Sequence, residues 1–486
     1  MPKAAISRNV RRPLRGPLLD AISSSNDGLP RYQTIYRSLR ASILGGTLKA
    51  GTRLPSTRTF AADLHVSRKT AEEAYAQLER EGFVERRTGS GTYVADVPAP
   101  ARKVRVRLEG DRRMAIRSRA AMDAVSCVEP QVVRPFAAGL PALDAFPVDL
   151  WRRLVALHAR RLDANEMIYG DPAGYAPLRE AVASYLVASR GVNCDASQVI
   201  IVNSSQQALD LAARMLLDPG DEAWIEDPGY YGARAAFLSA GARVVPVPVD
   251  AEGLDVAAGV ALAPRARVAY VTPSNQYPLG TTMSLERRLA LLEWTRRANA
   301  WIVEDDYDGE FRYDGRPLAA IQGLDTTGRV LYAGTFTKSL YPSLRLAYLV
   351  VPPDLVDPFV RARTQLDGHP ATFMQAVVAD FLAGGHFGAH VRRMRALYHS
   401  RRDILLAALR RLRVDVAGSD AGLRLSVFIH GSDRRASERA ARAGLDVPPL
   451  SRLYCGASPR NGLVLGYAAL SPSAIRAGVL TLQRFV

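Results

Sequence analysis

Apolar positions recur with two different periods along the chain, and the change of period divides it. From Tyr32 they fall at Tyr32, Tyr36, Leu39 and Ile43, the spacing of one helical face, until Gly45 and Gly46 stop the run. Ser56, after Pro55, is placed to cap a second, short helix with Phe60 and Leu64 inward. A third helix is predicted from Ser67 through "SRKTAEEAYAQLEREG", with Ala71, Ala74, Tyr75 and Leu78 inward and Gly82 ending it. Two β-prone pieces, "FVERR" and "TYV", joined by "TGSG", predict a hairpin. Three helices and a hairpin make a winged helix-turn-helix, expected over residues 25–95.

From about Gln131 helical segments alternate with short apolar runs: "QVIIV", "EAWIED", "RVVPVPV", "RVAYVTP", "WIVEDD", "RVLYAGTF" and "LAYLVVP". Near-continuous apolar strands between helices predict an α/β domain over 131–486, a mostly parallel sheet covered on both faces. In such sheets a ligand sits beyond the carboxyl ends of the strands. The residues that carry chemistry should therefore follow the apolar runs.

Length and composition agree with this division. A chain of 486 residues, 48% hydrophobic and 23% charged, is expected to form several soluble globular domains rather than a disordered or fibrous one. No run of about 20 apolar residues is present, and the first twenty residues lack an apolar signal core, so a cytoplasmic protein with no membrane partner is expected. Cys127, Cys194 and Cys455 are far apart and lack metal-ligand spacing, so they are read as reduced thiols and no metal is expected. Of the net charge of +16, residues 1–130 hold 24 Lys and Arg against 13 Asp and Glu, and residues 131–486 hold 40 against 35. The excess at the front suits a nucleic-acid contact. Residues 1–24 read as a flexible basic arm, and residues 96–130, with "ARKVRVRLEGDRR", as a basic linker able to touch DNA phosphates.

The polar residues after each apolar run suggest one site. "NSSQQALDLAARMLL" follows "QVIIV", and a helix N-terminus with adjacent hydroxyls makes Ser204, Ser205 and Gln206 candidates for a phosphate. "DPGYYG" puts Tyr230 at a strand end, either as a core residue or as a ring stacked on a flat heterocycle. "EDDYDGEFRYDG" gathers acids at the end of an apolar strand, where burial without a cation or a proton is costly. The segment lacks the histidines of a metal site, and one carboxylate against a protonated pyridine nitrogen fits better. Lys338 in "GTFTKSLYPSLRLAYL" is placed to form a Schiff base with an aldehyde, and Arg345, seven residues on, suits a phosphate.

Two resemblances follow from these strings. "LPSTRTFAADLHVSRKTAEEAYAQLEREGFVERRTGSGTYV" resembles the GntR family of DNA-binding domains, which implies a recognition helix in the major groove. It makes Arg58, Arg68, Lys69 and Thr70 DNA contacts, with Gly89 at the wing tip. Beyond it, an aromatic after Asp-Pro-Gly, "TPSNQYPLG", the acids with tyrosine, and the lysine and arginine follow the order of fold-type I pyridoxal-phosphate enzymes, the aspartate aminotransferase class. Together the chain resembles the MocR/GabR group of transcriptional regulators over nearly its whole length. The implied fold is a winged helix-turn-helix plus a fold-type I aminotransferase-like domain with a smaller C-terminal α+β subdomain.

The resemblance implies that Lys338 holds pyridoxal 5'-phosphate as a Schiff base and that Asp305 pairs with the pyridinium nitrogen. Tyr307 would hydrogen-bond the ring 3′-oxygen, with Asn275 in the same role or behind it, and Tyr230 would stack on the ring. Arg345, Thr337, Ser204 and Ser205 would hold the phosphate, and Tyr169 would reach the neighbouring subunit's cofactor, so a homodimer is implied. Three positions depart from the family pattern: Ser204 and Ala347 stand where glycine is usual, and "NGLVLGYAAL" lacks the arginine that grips a substrate carboxylate. Arg424 or Arg460 would have to supply that charge to an effector. The expected function is a pyridoxal-phosphate-dependent regulator that binds a double-stranded DNA operator and senses the cofactor, an amino-acid effector or both. The alternative is an active aminotransferase with a DNA-binding appendage.

Overall fold

The period change in the sequence coincides with a division into two compact units, Met1–Arg112 and Arg113–Val486, in the computed structural model of the chain. The structure describes residues 29–97, 115–123, 132–164, 167–313, 319–456 and 458–486. The arm at 1–24, most of the linker and Cys127 lie outside the described residues. Within the span read as linker, a short helix forms at Ile116–Asp123. Its alanines and lack of glycine and proline favour that outcome.

In the first unit α1 spans Arg31–Leu44, α2 Thr57–Asp63 and α3 Arg68–Arg80. The hydroxyls of Ser56 and Ser67 cap α2 and α3 by accepting from the backbone N–H of Thr59 and Thr70. The hairpin pairs β1 (Val84–Arg87) with β2 (Gly91–Val94). Phe60, Ala71, Ala74, Tyr75 and Leu78 are inward as expected. On α1 the buried stripe is Ile35, Leu39 and Ile43. Tyr32 and Tyr36 are only half-buried, because Tyr36 turns its hydroxyl out to Glu81.

The second unit is built on eight strands: β3 (Val199–Val202), β4 (Glu222–Asp227), β5 (Arg243–Asp250), β6 (Gly253–Leu254), β7 (Val268–Val271), β8 (Trp301–Asp306), β9 (Val330–Thr335) and β10 (Ala347–Val350). Their order is β3-β10-β9-β8-β7-β4-β5-β6. Neighbours from β9 across to β5 run parallel, whereas β10 is antiparallel to both β3 and β9. All seven apolar runs are strands. "LAYLVVP" runs against the rest because the segment between Thr335 and Ala347 is occupied by the lysine turn and a 3₁₀ turn, and a parallel crossover takes about a dozen residues or more.

Alternate residues of these strands feed two cores. Tyr270 and Val303 face the layer of helices Ser205–Leu216 and Tyr231–Ala240. Val271 and Ile302 face the layer of helix Leu285–Ala298, where Trp224 and Trp294 stack with ring centroids 3.8 Å apart. Burial on both faces explains the absence of polar alternation in the runs. The smaller subdomain is a three-stranded antiparallel sheet, β11 (Val416–Ala417), β12 (Arg424–Phe428) and β13 (Gly462–Gly466), packed with helices His386–Leu409 and Pro472–Leu482. β12 begins on Arg424.

Candidate cofactor and nucleic-acid sites

The period-2 alternation of β8 sorts the acidic cluster. Glu304 and Asp306 point to one side, Asp305 and Tyr307 to the other. Glu304 accepts the backbone N–H groups of Ile321 and Gln322, and Asp306 Oδ2 is clamped by Arg190 Nε at 2.6 Å and the Tyr332 hydroxyl at 2.6 Å, while its Oδ1 is buried without a partner among the described residues. Both are therefore structural. Asp305 accepts from the Tyr270 hydroxyl at 2.9 Å through Oδ2, while its Oδ1 is buried with no partner among the described residues. Burial first, then the neighbouring Asp306 and Asp308, push the Asp305 carboxyl up to about 7, against the Tyr270 hydrogen bond and the Lys338 charge. A buried carboxylate with one open oxygen and a suppressed charge is matched by a cationic N–H donor.

Lys338 follows β9 directly. Its Nζ donates to the backbone carbonyl of Gly139 at 2.9 Å. Gly139 has φ +82°, a backbone conformation that favours glycine, and the Lys338 Nζ lies 2.7 Å from where a Cβ would stand. The Tyr307 hydroxyl donates to the backbone carbonyl of Asn275 at 2.5 Å. The Asn275 amide nitrogen donates to both carboxylate oxygens of Asp308. Tyr230 lies edge-on to Tyr277, and Tyr277 edge-on to Tyr307, with centroids 5.8 and 6.4 Å apart. These rings form an aromatic wall that continues to Arg424, whose guanidinium lies 4.4 Å from the Tyr277 centroid and donates to the Tyr307 hydroxyl.

At the end of β3, Ser204 caps helix Ser205–Leu216 by accepting from the Gln207 N–H at 3.1 Å. Asp367 steadies that turn from outside by accepting from Asn203 Nδ2 and Gln207 Nε2. Thr337 donates its N–H to the Thr335 hydroxyl. Arg345 is exposed, in the left-handed region at φ 52°, with its backbone N–H donating to the Pro342 carbonyl, and its guanidinium makes no hydrogen bond or ion pair among the described residues. The open Asp305 oxygen, a lysine amine, an aromatic wall, a helix N-terminus and a free arginine together fit pyridoxal phosphate.

Two candidates lie apart from this cluster. Arg460 is exposed, pairs with Asp415 at 3.0 Å and stacks on Phe428, which leaves Arg424 as the arginine that meets Tyr307. Tyr169 is 92% exposed, with its ring edge toward His369. Gly139, Tyr270, Tyr277 and Asp308 were not predicted. Asp308 and Tyr277 lie within the strings "EDDYDGEFRYDG" and "TPSNQYPLG", and Tyr270 left a hydroxyl inside the apolar run "RVAYVTP".

In the first unit Arg58, Arg68 and Lys69 are exposed on α2 and α3. Arg68 Nε is held by Glu72 at 2.8 Å, one turn on, and Thr70 Oγ1 bonds to the capping hydroxyl of Ser67. At the wing tip Gly89 has φ +72° with open space where a Cβ would stand, and Arg87 lies over the Tyr93 ring. A partially compensated basic face beside an unobstructed turn can approach a phosphate backbone closely.

Comparison with known proteins gives the same two parts. Residues 31–94 match the bacterial regulatory protein gntR family, and residues 144–476 match aminotransferase class I and II. The chain is 44% identical over 466 residues to a probable rhizopine catabolism regulatory protein, MocR, of Rhizobium meliloti, covering 94% of this chain and 93% of that one. It is 33% identical to the HTH-type transcriptional regulator TauR of Rhodobacter capsulatus, covering 91% and 93%. Among solved structures, the kynurenine aminotransferase of Pyrococcus horikoshii in complex with PMP matches with a TM-score of 0.68 at 29% identity, covering 77% of this chain and 94% of that one.

Proposed function

The chain belongs to the MocR-type regulators, a gntR-family head joined to an aminotransferase class I and II domain, and we propose that it switches transcription when an amine effector meets the cofactor at Lys338. It is a pyridoxal-phosphate-binding, DNA-binding transcriptional regulator, and its second unit has the fold-type I aminotransferase fold. Among the described residues no helix is long and apolar enough to cross a membrane.

The cofactor supplies an aldehyde that an amine can hold and a ring that withdraws electrons when its nitrogen is protonated. Asp305 would keep that nitrogen protonated through its open oxygen, Tyr230 would cover the ring face, and Tyr307 would turn its one hydroxyl proton from the Asn275 carbonyl to the ring hydroxyl oxygen. Ser204, Ser205, Thr337 and Arg345 take the phosphate. Arg424 receives the anionic group of the effector, in place of the arginine missing from β13. Tyr169, fully out in solvent in one copy, completes the phosphate site of a second copy in a homodimer. Arg58, Arg68, Lys69, Thr70 and Gly89 contact the operator. Effector binding acts on DNA only if it favours one arrangement of the chain over another.

The observation that carries this reading is the unpartnered, buried Asp305 oxygen in the cluster that also holds Lys338 and Tyr307. Purified protein is expected to show the visible absorbance of a lysine-held cofactor, and Lys338→Ala to lose it entirely; a wild type without that absorbance overturns the reading. An active aminotransferase is favoured by the same lysine, aspartate and tyrosine set. Keto-acid formation from a panel of amino acids separates the two, because a sensor releases none at steady state.

A further inference from the structure

Resting on the reading of Arg424 as the effector contact, we propose that Asp308 is a specificity-determining residue. It holds Arg424 partly neutralised beside the cofactor, so that the guanidinium takes the anionic group of an amine effector weakly and reversibly. The basis is a closed ring of polar contacts. The Tyr307 hydroxyl donates to the Asn275 carbonyl at 2.5 Å, and the Asn275 amide nitrogen donates to both Asp308 oxygens at 2.9 and 3.0 Å. Asp308 Oδ2 faces Arg424 Nη1 at 3.6 Å, and Arg424 Nη2 returns to the Tyr307 hydroxyl. Asn275, Asp308 and Arg424 are 3%, 1% and 5% exposed. Gly422 leaves room for the ring: at φ +82°, its Cβ would stand 2.2 Å from Asn275 Nδ2 and 2.7 Å from Asp308 Oδ2.

Two buried atoms of the ring are left without partners among the described residues, the donor Nε of Arg424 and the acceptor Oδ1 of Asn275. Tyr277 and Tyr307 lie against the guanidinium, with centroids 4.4 and 5.1 Å from its carbon, so it is not free to turn toward another partner. An unfilled donor and an unfilled acceptor on one ring match a ligand that brings an anion and an N–H together. At 3.6 Å Asp308 opposes the charge of Arg424 without filling its Nε edge. A buried guanidinium without a counter-ion would capture compact anions indiscriminately, whereas a paired one binds only what also satisfies its neighbours.

The test uses the cofactor-loaded full chain. Alanine and β-alanine are each compared with ethylamine, which lacks only their carboxylate, by the change in visible absorbance as the amine displaces Lys338. The ratio of affinities measures the contribution of the anion. A charge-assisted contact discounted by Asp308 predicts a wild-type ratio for the better amino acid below about 30. Asp308→Asn should raise that ratio by about tenfold, and Arg424→Met should bring it to about one. If Arg424→Met collapses the ratio but Asp308→Asn leaves it unchanged, the inference about Asp308 fails while the effector role of Arg424 stands. If Arg424→Met leaves the ratio unchanged, that role fails and the inference with it. Should Asp308→Asn not fold, as judged by circular dichroism and cofactor retention, the wild-type ratio decides: a value above about 30 overturns the proposal, and a lower one supports it.

Discussion

The head and the second unit build their sites in opposite ways. The candidate DNA contacts Arg58, Arg68 and Lys69 are exposed on two short helices within a dozen residues of one another, and only their caps and the core beneath them hold them in place. The cofactor cluster draws Asn275, Asp305, Tyr307, Lys338 and Arg424 from segments up to about 150 residues apart, past the carboxyl ends of β7, β8 and β9 and at the start of β12, with Asn275, Asp305 and Arg424 buried and Tyr307 and Lys338 partly so. A surface site can be altered one side chain at a time. A buried polar site is a network in which each group fixes the state of the next.

The sharpest way to break that contrast is to remove the core of the head alone. Phe60 is fully buried, with its ring 5.5 Å from that of Tyr75, so Phe60→Ala is expected to cost about 3–5 kcal/mol. Operator binding, read by electrophoretic shift, should disappear while the cofactor absorbance of the second unit persists. Loss of both would mean that the two units do not fold independently.

Next comes pH. Burial, ahead of every other cause, pushes the Glu226 and Glu304 carboxyls up to about 7. A carboxyl raised above its unfolded value of about 4.3 holds its proton longer in the folded state, so stability falls as pH rises between about 4.3 and 7 and is level above. The stability of the second unit, read from its urea midpoint, should drop between about pH 5.5 and 7.5 by on the order of 4 kcal/mol, about 2 from each carboxyl. A midpoint that rises over that interval would contradict the reading that burial outweighs the hydrogen bonds these acids accept.

Arg68→Ala tests the surface site. Arginine contacts to guanine discriminate by about 1–3 kcal/mol, so the variant should bind the operator and a one-base mutant of it more equally in a competition titration. A uniform loss across sequences would instead mark Arg68 as a phosphate contact. The smallest effect is expected at His65, which sits in the left-handed region at φ 53° between α2 and α3. His65→Gly should relieve that strain and raise the melting temperature slightly, by about 0.5–1 kcal/mol of stability.

The sequence alone determined the elements, because their signals are local: caps at Ser56 and Ser67, glycines at turns, and apolar runs that became strands. It also singled out Lys338 and Asp305 as candidates, because their order along the chain resembles a known family. Four things were decided only in three dimensions: that Glu304 and Asp306 bond to the scaffold while Asp305 lies on the other side of β8, that Gly139 receives Lys338, that Asp308 ties Asn275 to Arg424, and that Arg424 rather than Arg460 meets Tyr307. The physical reason is range. Helix and strand propensities act over a few residues, whereas the contacts from Lys338 to Gly139 and from Arg424 to Tyr307 span 199 and 117 residues and exist only once the sheet and the C-terminal subdomain have closed on the same pocket.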